Sequence, residues 1–238
     1  MKIALIGYGK MGHAIEEIAL QRGHEIVLKI TDENLEDFTK ENIQKADVAI
    51  EFTNPQSAVK NILFCFDANV AVVCGTTGWL HQLKAVEEKC KELNGSFLYA
   101  SNFSVGVNIF FELNKKLASL IKPHQAYNVL IEEIHHTQKK DAPSGTAITL
   151  AEQIIEVSDR KNKWVNSASQ NQDELSIISK RIDEVPGTHS VKYVSSVDDI
   201  EIIHTAHNRK GFAEGAVLAA EFINGKKGIF SMKDVLNF

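Results

Sequence analysis

Lys2-Ile3-Ala4-Leu5-Ile6-Gly7-Tyr8-Gly9-Lys10-Met11-Gly12 is the stretch on which the reading of this chain turns. Residues 2–6 are an apolar run of strand length, and an apolar helical spacing follows through Ile15, Ile18 and Ala19 to Gly23. Between them stands Gly-x-Gly-x-x-Gly. There the three glycines have physical jobs: a tight turn, close approach of backbone to a pyrophosphate, and close packing of helix on strand. A second apolar run, residues 25–30, ends at Thr31 and Asp32. An acid therefore stands about 20 residues beyond the last glycine, where a ribose hydroxyl is held in dinucleotide sites. A glycine-rich turn that serves only packing has the same local sequence; the order strand, turn, helix, strand favours a dinucleotide cradle.

The alternation continues. Residues 47–52 read as a strand, and Asn54-Pro55 as an N-cap with proline at the first position of a helix reaching Asp67. Residues 70–74 are a β-branched run suited to a strand buried on both faces. Gly75-Thr76-Thr77-Gly78 follows, then a helix over 80–93, then a strand over 97–100 that ends at Ala100-Ser101-Asn102-Phe103. Repeated β–α units predict an α/β fold, a Rossmann-like doubly wound parallel sheet with ligands at the carboxyl ends of its strands. Either loop alone could be an ordinary connection. Their shared place favours Gly75, Thr76, Thr77, Ala100, Ser101, Asn102 and Phe103 as cofactor contacts beside Gly7, Tyr8, Gly9, Lys10, Met11 and Gly12, with Asp32 at the ribose.

The remainder predicts a second, α+β domain built on a mixed sheet. Residues 106–121 are helical in pattern, 127–134 alternate as a strand, and 144–157 form a helix capped by Ser144. Residues 158–174 are polar and read as an exposed loop; strand-like runs follow at 175–182, 191–195 and 200–205, with turn signals at Pro186-Gly187 and Asp198-Asp199. A final helix over 211–223 stops at Asn224-Gly225 and returns to the first domain. The expected division is residues 1–106, completed by 210–238, as dinucleotide-binding domain, and 107–209 as substrate-binding and oligomerisation domain. A sheet with so few helices has a face to cover, by self-association or with polar side chains.

Composition narrows the classes. The chain has 238 residues, 44% of them hydrophobic, enough for a sizeable core. A net charge of −5 and a pI near 6.0, with no long basic run, speak against nucleic acid as main partner. No apolar run reaches the roughly 18 residues of a membrane span, and the first apolar residues meet Gly-Tyr-Gly too early for a signal peptide. Cys65, Cys74 and Cys90 are odd in number and lack Cys-x-x-Cys spacing, so neither a disulfide frame nor a zinc site is suggested, and a cytoplasmic protein is expected.

Chemistry concentrates in His135-His136-Thr137-Gln138-Lys139-Lys140-Asp141-Ala142-Pro143-Ser144-Gly145-Thr146. Imidazoles, ammonium groups and a carboxylate precede a helix start, which offers unpaired N–H groups and a positive dipole end to an anion. A histidine can act as general acid near neutral pH. Lys139 can supply positive charge, or a proton if a dry pocket lowers its pKa. Adjacent histidines on a strand face opposite sides, and Glu132 and Glu133 complete no recognisable ligand spacing, so a metal-free site is expected. A polar loop before a capped helix would look alike; the nucleotide half that precedes it favours a site for a hydride acceptor bearing a carboxylate.

The chain resembles the 4-hydroxy-tetrahydrodipicolinate reductase (dihydrodipicolinate reductase) family of the diaminopimelate–lysine pathway over essentially its whole length. The resemblance rests on Glu133-Ile134-His135-His136-x-x-Lys139-x-Asp141-Ala142-Pro143-Ser144-Gly145-Thr146-Ala147 and on Asn102-Phe103-Ser104-Val105-Gly106-Val107-Asn108. Gly75-Thr76-Thr77-Gly78, the N-terminal glycine loop and the stretch from Arg209 to Gly215 also fit. It implies an oxidoreductase passing hydride from NADPH or NADH to C4 of a cyclic dicarboxylate, and a proton to the neighbouring carbon. By motif position it makes His135 the proton donor and Lys139 a second one. It makes His136, Ser144, Gly145, Thr146 and Arg209 substrate contacts, and implies a homotetramer built through the second-domain sheet.

Two departures bear on the cofactor. Glu51-Phe52-Thr53 stands where the family has Asp-Phe-Thr, and either Thr31 or Asp32 occupies the family's acidic position. Lys10 can meet a 2′-phosphate and Asp32 can bind a ribose 2′-hydroxyl, so NADPH and NADH both remain open. Two other functions compete. Another two-domain amino-acid dehydrogenase, aspartate dehydrogenase-like, leaves the His-His-Lys window unexplained. A non-catalytic NAD(H)-sensing regulator should carry a DNA-reading module, and no basic helix-turn-helix pattern is visible.

Overall fold

The computed structural model describes every residue of the chain except Arg209. In chain order its elements begin with β1 (Lys2–Ile6), α1 (Lys10–Gln21), β2 (Glu25–Ile30), α2 (Lys40–Ile43), β3 (Val48–Glu51), α3 (Pro55–Asp67), β4 (Ala71–Cys74), α4 (Leu83–Glu92) and β5 (Ser96–Tyr99). They continue with α5 (Val105–Ile121), β6 (Asn128–His135), α6 (Gly145–Val157), β7 (Lys163–Val165), β8 (Glu174–Arg181), β9 (Gly187–Val194) and β10 (Asp199–Ala206). The chain closes with α7 (Lys210–Ile223), β11 (Gly228–Phe230) and α8 (Met232–Leu236). The chain forms two compact units: Met1–Val105 with the residues after Arg209, and Gly106–Asn208.

The first unit is a six-stranded sheet in the order β11-β5-β4-β3-β1-β2, parallel throughout. Strand alternation sends Ile3, Leu5, Val48, Ile50, Val73 and Leu98 to one face, where they meet Ile15 and Ile18 of α1 and Val217 and Ala220 of α7. Ala4, Ile6, Ala49, Val72, Cys74 and Phe97 turn to the other face, against Ile62 and Phe66 of α3 and Val86 of α4. Burial on both faces is why these strands read as unbroken apolar runs. The helix starts follow their sequence: Asn54 accepts from the backbone N–H of Gln56 and Ser57, and Pro55 takes the first helical position.

The second unit is a five-stranded mixed sheet in the order β10-β9-β6-β8-β7. β6 runs parallel to β8 and antiparallel to β9. Its inward series, Val129, Ile131, Leu175, Ile177, Val191 and Tyr193, packs on Phe110 of α5 and Leu150 and Ile154 of α6. The other face is half exposed and mixes Leu130, Ile134 and Ile178 with the ion pair of Lys180 and Glu132 at 2.5 Å. On the edge strand β10, Ile203 is 59% exposed.

Three readings from sequence need correction. The polar stretch 158–174 contains a strand, β7, which pairs in parallel with the start of β8. The chain does not end structurally with its last long helix: β11 adds a sixth strand beside β5, and α8 follows. The helix expected over 80–93 begins at Leu83, after a 3-10 turn over Leu80–Gln82. Among the described residues, no helix is long and apolar enough to cross a membrane.

Candidate active site

In the first unit the glycine loop divides its work by position. Gly7 has φ +91°, and a Cβ there would lie 2.0 Å from the carbonyl oxygen of Phe52. A Cβ on Gly12 would lie 2.7 Å from the carbonyl oxygen of Gly7, so this glycine lets α1 sit close to the turn. At Gly9 a Cβ would meet nothing within 4 Å. Gly9 is the N-cap of α1 and makes no side-chain cap, so the first N–H groups of a twelve-residue helix face an opening. That opening is a cleft of ≈ 390 Å³ lined by Gly9, Lys10, Met11, Phe52, Thr53, Pro55, Gly75, Thr76 and Thr77. Backbone donors at a helix start, an open Cα and a neighbouring ammonium suit a diphosphate. The first unit therefore fits the nicotinamide dinucleotide expected from sequence.

The other proposed cofactor residues fall around this cleft unevenly. Thr76 is buried, and its hydroxyl accepts from Thr53 N–H at 2.8 Å, which ties two loops together. Asp32 lines an adjoining cleft of ≈ 90 Å³ with Gly7, Ile30, Thr31, Leu35, Asn54 and Ser57, and Thr53 lies in the lining of both this cleft and the opening beside Lys10. The Tyr8 hydroxyl donates to Glu16, and Lys29 lies over its ring at 4.7 Å, which turns the side chain toward α1. Ala100 and Phe103 are buried in the first core, Ser101 is exposed, and the Asn102 side chain accepts from Ser104 N–H. The Glu51 carboxylate, fully buried, takes hydrogen bonds from Thr53, Asn61 and Cys74.

In the second unit strand register builds the site. The inward series of β6 that carries Val129 and Ile131 ends in Glu133 and His135. β9 repeats the alternation with Gly187, His189, Val191 and Tyr193, and pairing sets His189 directly across from Glu133. On the other side β8 sets Arg181 beside His135. The start of α6 closes the cluster: Ser144 caps the helix by accepting from Ala147 N–H, and its own N–H donates to both oxygens of Glu133 at 3.1 Å. Arg181 donates to Glu133 Oε1 at 3.3 Å and to the carbonyls of Lys139 and Asp141, pinning the loop after β6. Within that loop Lys139 Nζ pairs with Asp141 at 2.9 Å.

Electrostatics follow from this packing. Burial pushes the Glu133 pKa up, but hydrogen bonds from His189 and Ser144 outweigh it and hold the carboxyl well below its ordinary range. Burial drives the His135 pKa down to about 4; His189, Lys139 and Arg181 push the same way, and only Glu133 opposes them. His135 Nδ1 lies 3.5 Å from Glu133 Oε2 and forms no well-directed hydrogen bond. Glu133, His135 and His189 each bring a possible ligand atom within 4.8 Å of the others. The guanidinium of Arg181 already occupies Glu133 and disfavours a second cation there, so the grouping reads as a hydrogen-bonded cluster.

His135 is thus buried while His136 is half exposed, as two neighbours at a strand end should be. The structure brings His135, Lys139 and Ser144–Thr146 into one unit with α6. A Cβ on Gly145 would meet nothing within 4 Å, so the backbone at this helix start is open to an approaching group. Arg209 lies outside the described residues. Sequence reasoning missed Arg181 and His189. Their only signal is period-two alternation, which puts His189 in an inward-facing series of β9.

A parallel nucleotide-binding sheet with a glycine cradle, followed by a unit carrying titratable groups at a helix start, defines a two-unit nicotinamide-dependent oxidoreductase. Residues 1–103 match the family model for the dihydrodipicolinate reductase N-terminus, and 106–236 the model for its C-terminus. The 4-hydroxy-tetrahydrodipicolinate reductase of Christiangramia forsetii is 53% identical, over 100% of this chain and 98% of that protein. The enzyme of the same name from Methanosarcina barkeri is 40% identical, over 88% of this chain and 80% of the relative. Among solved structures, dipicolinate-bound dihydrodipicolinate reductase from Paenisporosarcina sp. TG-14 shares the fold, with TM-score 0.76 and 24% identity over 98% of both chains. The chain belongs to the dihydrodipicolinate reductase family: it is an NADH- or NADPH-dependent reductase of the diaminopimelate–lysine pathway.

Proposed function

We propose that this chain reduces 4-hydroxy-tetrahydrodipicolinate to tetrahydrodipicolinate, with the carboxylate anchored at Ser144, Gly145 and Thr146 and the proton carried by His135. The observation that supports this most directly is the convergence of His135, Arg181 and the start of α6 on the buried carboxylate of Glu133. When bound, the reduced nicotinamide supplies a hydride. Gly7, Gly9 and Gly12 form the cradle for its pyrophosphate, with Lys10, Met11, Gly75, Thr76 and Thr77 along the same cleft.

The protein's own contribution is charge and position. The open backbone at Gly145 and the positive end of α6 hold one substrate carboxylate, and Lys139 adds its charge beside them. His136 and Arg209 complete the substrate contacts. With its pKa near 4, His135 is neutral at pH 7 in the free protein. An arriving dicarboxylate offsets the positive charges of Lys139 and Arg181 and raises the proton affinity of His135. His135 then loads its proton when substrate is present, and Lys139 is a second donor. Nδ1 faces Glu133, which leaves Nε2 as the atom that hands the proton over.

The unit of function is a homotetramer assembled through the exposed face of the second sheet, and it works in the cytoplasm. The half-exposed apolar residues on that face, with Ile203 on its edge strand, support the assembly. All three cysteines are buried and unpaired, in keeping with a reducing compartment.

The test is an absorbance assay at the nicotinamide band with enzymatically generated substrate. Turnover, inhibited competitively by pyridine-2,6-dicarboxylate, is the expected result; cofactor binding with no turnover would leave the sensing regulator in its place.

A further inference from the structure

Register and packing single out a residue with no place in the chemistry above. His189 stands across the β6–β9 ladder from Glu133. Its Nε2 lies 3.1 Å from Ser144 Oγ and 3.7 Å from Glu133 Oε2. Ser144 Oγ is the same atom that caps α6. The ring of His189 also meets that of His135 edge to face, with centroids 5.0 Å apart and an interplanar angle of 72°. Two residues earlier on the same face, a Cβ on Gly187 would come within 3.1 Å of His135 Nε2. β9 therefore leaves space at Nε2 of His135 through Gly187 and packs His189 against the ring.

We propose that His189 is a positioning residue that holds the carboxylate-binding start of α6 and the ring of His135 in one arrangement. The proposal rests on the reading of Ser144–Thr146 and His135 given above. The other groups facing His135 do different work. Glu133, on its own strand, takes the Ser144 N–H; Arg181 on β8 fixes the following loop; Lys139 lies in that loop. His204 on β10 is the remaining titratable neighbour of His189, and burial lowers its pKa. His189 meets the capping hydroxyl of Ser144 and the His135 ring, whereas Glu133 reaches Ser144 through that residue's backbone N–H. Losing His189 frees Ser144 Oγ from its side-chain partner and opens a void beside His135, so anchoring and turnover should fall together.

Titration calorimetry with pyridine-2,6-dicarboxylate and with NADH, alongside kcat, tests this in three variants. In His189→Ala, dicarboxylate Kd should rise by about tenfold and kcat should drop by at least that factor, the scale of a lost buried hydrogen bond. NADH affinity should stay within about threefold. His189→Gln, whose amide can reach Ser144, should restore dicarboxylate affinity to near the parent value. Gly187→Ala should lower kcat by crowding His135 while leaving dicarboxylate Kd near the parent. Parent-like dicarboxylate binding in folded His189→Ala, or a Gln variant no better than Ala, overturns the proposal. If His189→Ala does not fold, the Gln and Gly187 variants decide it. A His135→Ala variant with undiminished kcat would remove His135 as proton donor, a failure of the earlier reading that the dicarboxylate affinities of the His189 variants register separately.

Discussion

His135 is held between one anion and three cationic or titratable neighbours, and its behaviour should report that balance. As proton donor it should be costly to remove: His135→Ala and Lys139→Ala should each lower kcat by about 10²–10⁴. Steady-state kinetics with a parallel measurement of NADH affinity checks this, and the affinity should hardly change because the glycine cradle lies in the other unit. Stability should also respond. The folded pKa of about 4 lies below the ordinary 6.5, so between these values the unfolded chain binds the extra proton. The associated stability is complete above pH 6.5 and fades as pH falls toward 4, by roughly 3 kcal/mol at the end of the window. Urea unfolding at neutral and mildly acid pH should show that loss in the parent and much less of it in His135→Gln. At this scale the sequence displayed His135, Lys139 and Ser144 because they are near neighbours along the chain. Glu133 was visible as the first residue of the family motif, without a task of its own. Arg181 and His189 reach it through strand pairing, which no local spacing encodes.

The start of α6 is the element on which substrate recognition depends. Ser144 caps it and Glu133 ties it to the sheet, while the Gly145 backbone is left open. Gly145→Val places a branched side chain in that opening. KM for the dicarboxylate should rise strongly and kcat should drop through misplacement of the ring, whereas NADH Kd should move no more than about threefold. If NADH binding is lost and pyridine-2,6-dicarboxylate still binds, the two anion sites have been assigned the wrong way round. Elements buried on both faces, such as β1 and β4, were legible because every residue in them except the exposed Lys2 is apolar. β7 and β11 were not. Each is three residues long and sits at a sheet edge, too short to show any period. Gly215 was noticed only as part of a motif; in the fold a Cβ there would lie 1.8 Å from the carbonyl oxygen of Phe103, so α7 depends on its absence.

At the scale of the molecule, two expectations concern partners. Lys10 and Asp32 border neighbouring openings that share Thr53, so the attraction of the ammonium for a 2′-phosphate is opposed by the carboxylate. A cofactor preference beyond a hundredfold needs about 2.7 kcal/mol of unopposed discrimination, and kcat/KM for NADH and NADPH should therefore differ by less than that factor. Light scattering should give a particle of four times the 26.4 kDa chain mass; a monomer at micromolar concentration would leave the outer face of the second sheet without a cover. The division of the chain has a further consequence, for the order in which it is made. The second unit is one continuous stretch, whereas the first core needs Ala213, Ala216, Val217, Ala220 and Met232 to cover Ile3, Leu5, Val48 and Ile50. Emerging from the ribosome, the segment that begins first is completed last. Until α7 arrives, one side of its sheet is covered by α1 alone, and the rest is an apolar surface for a chaperone or for another unfinished chain.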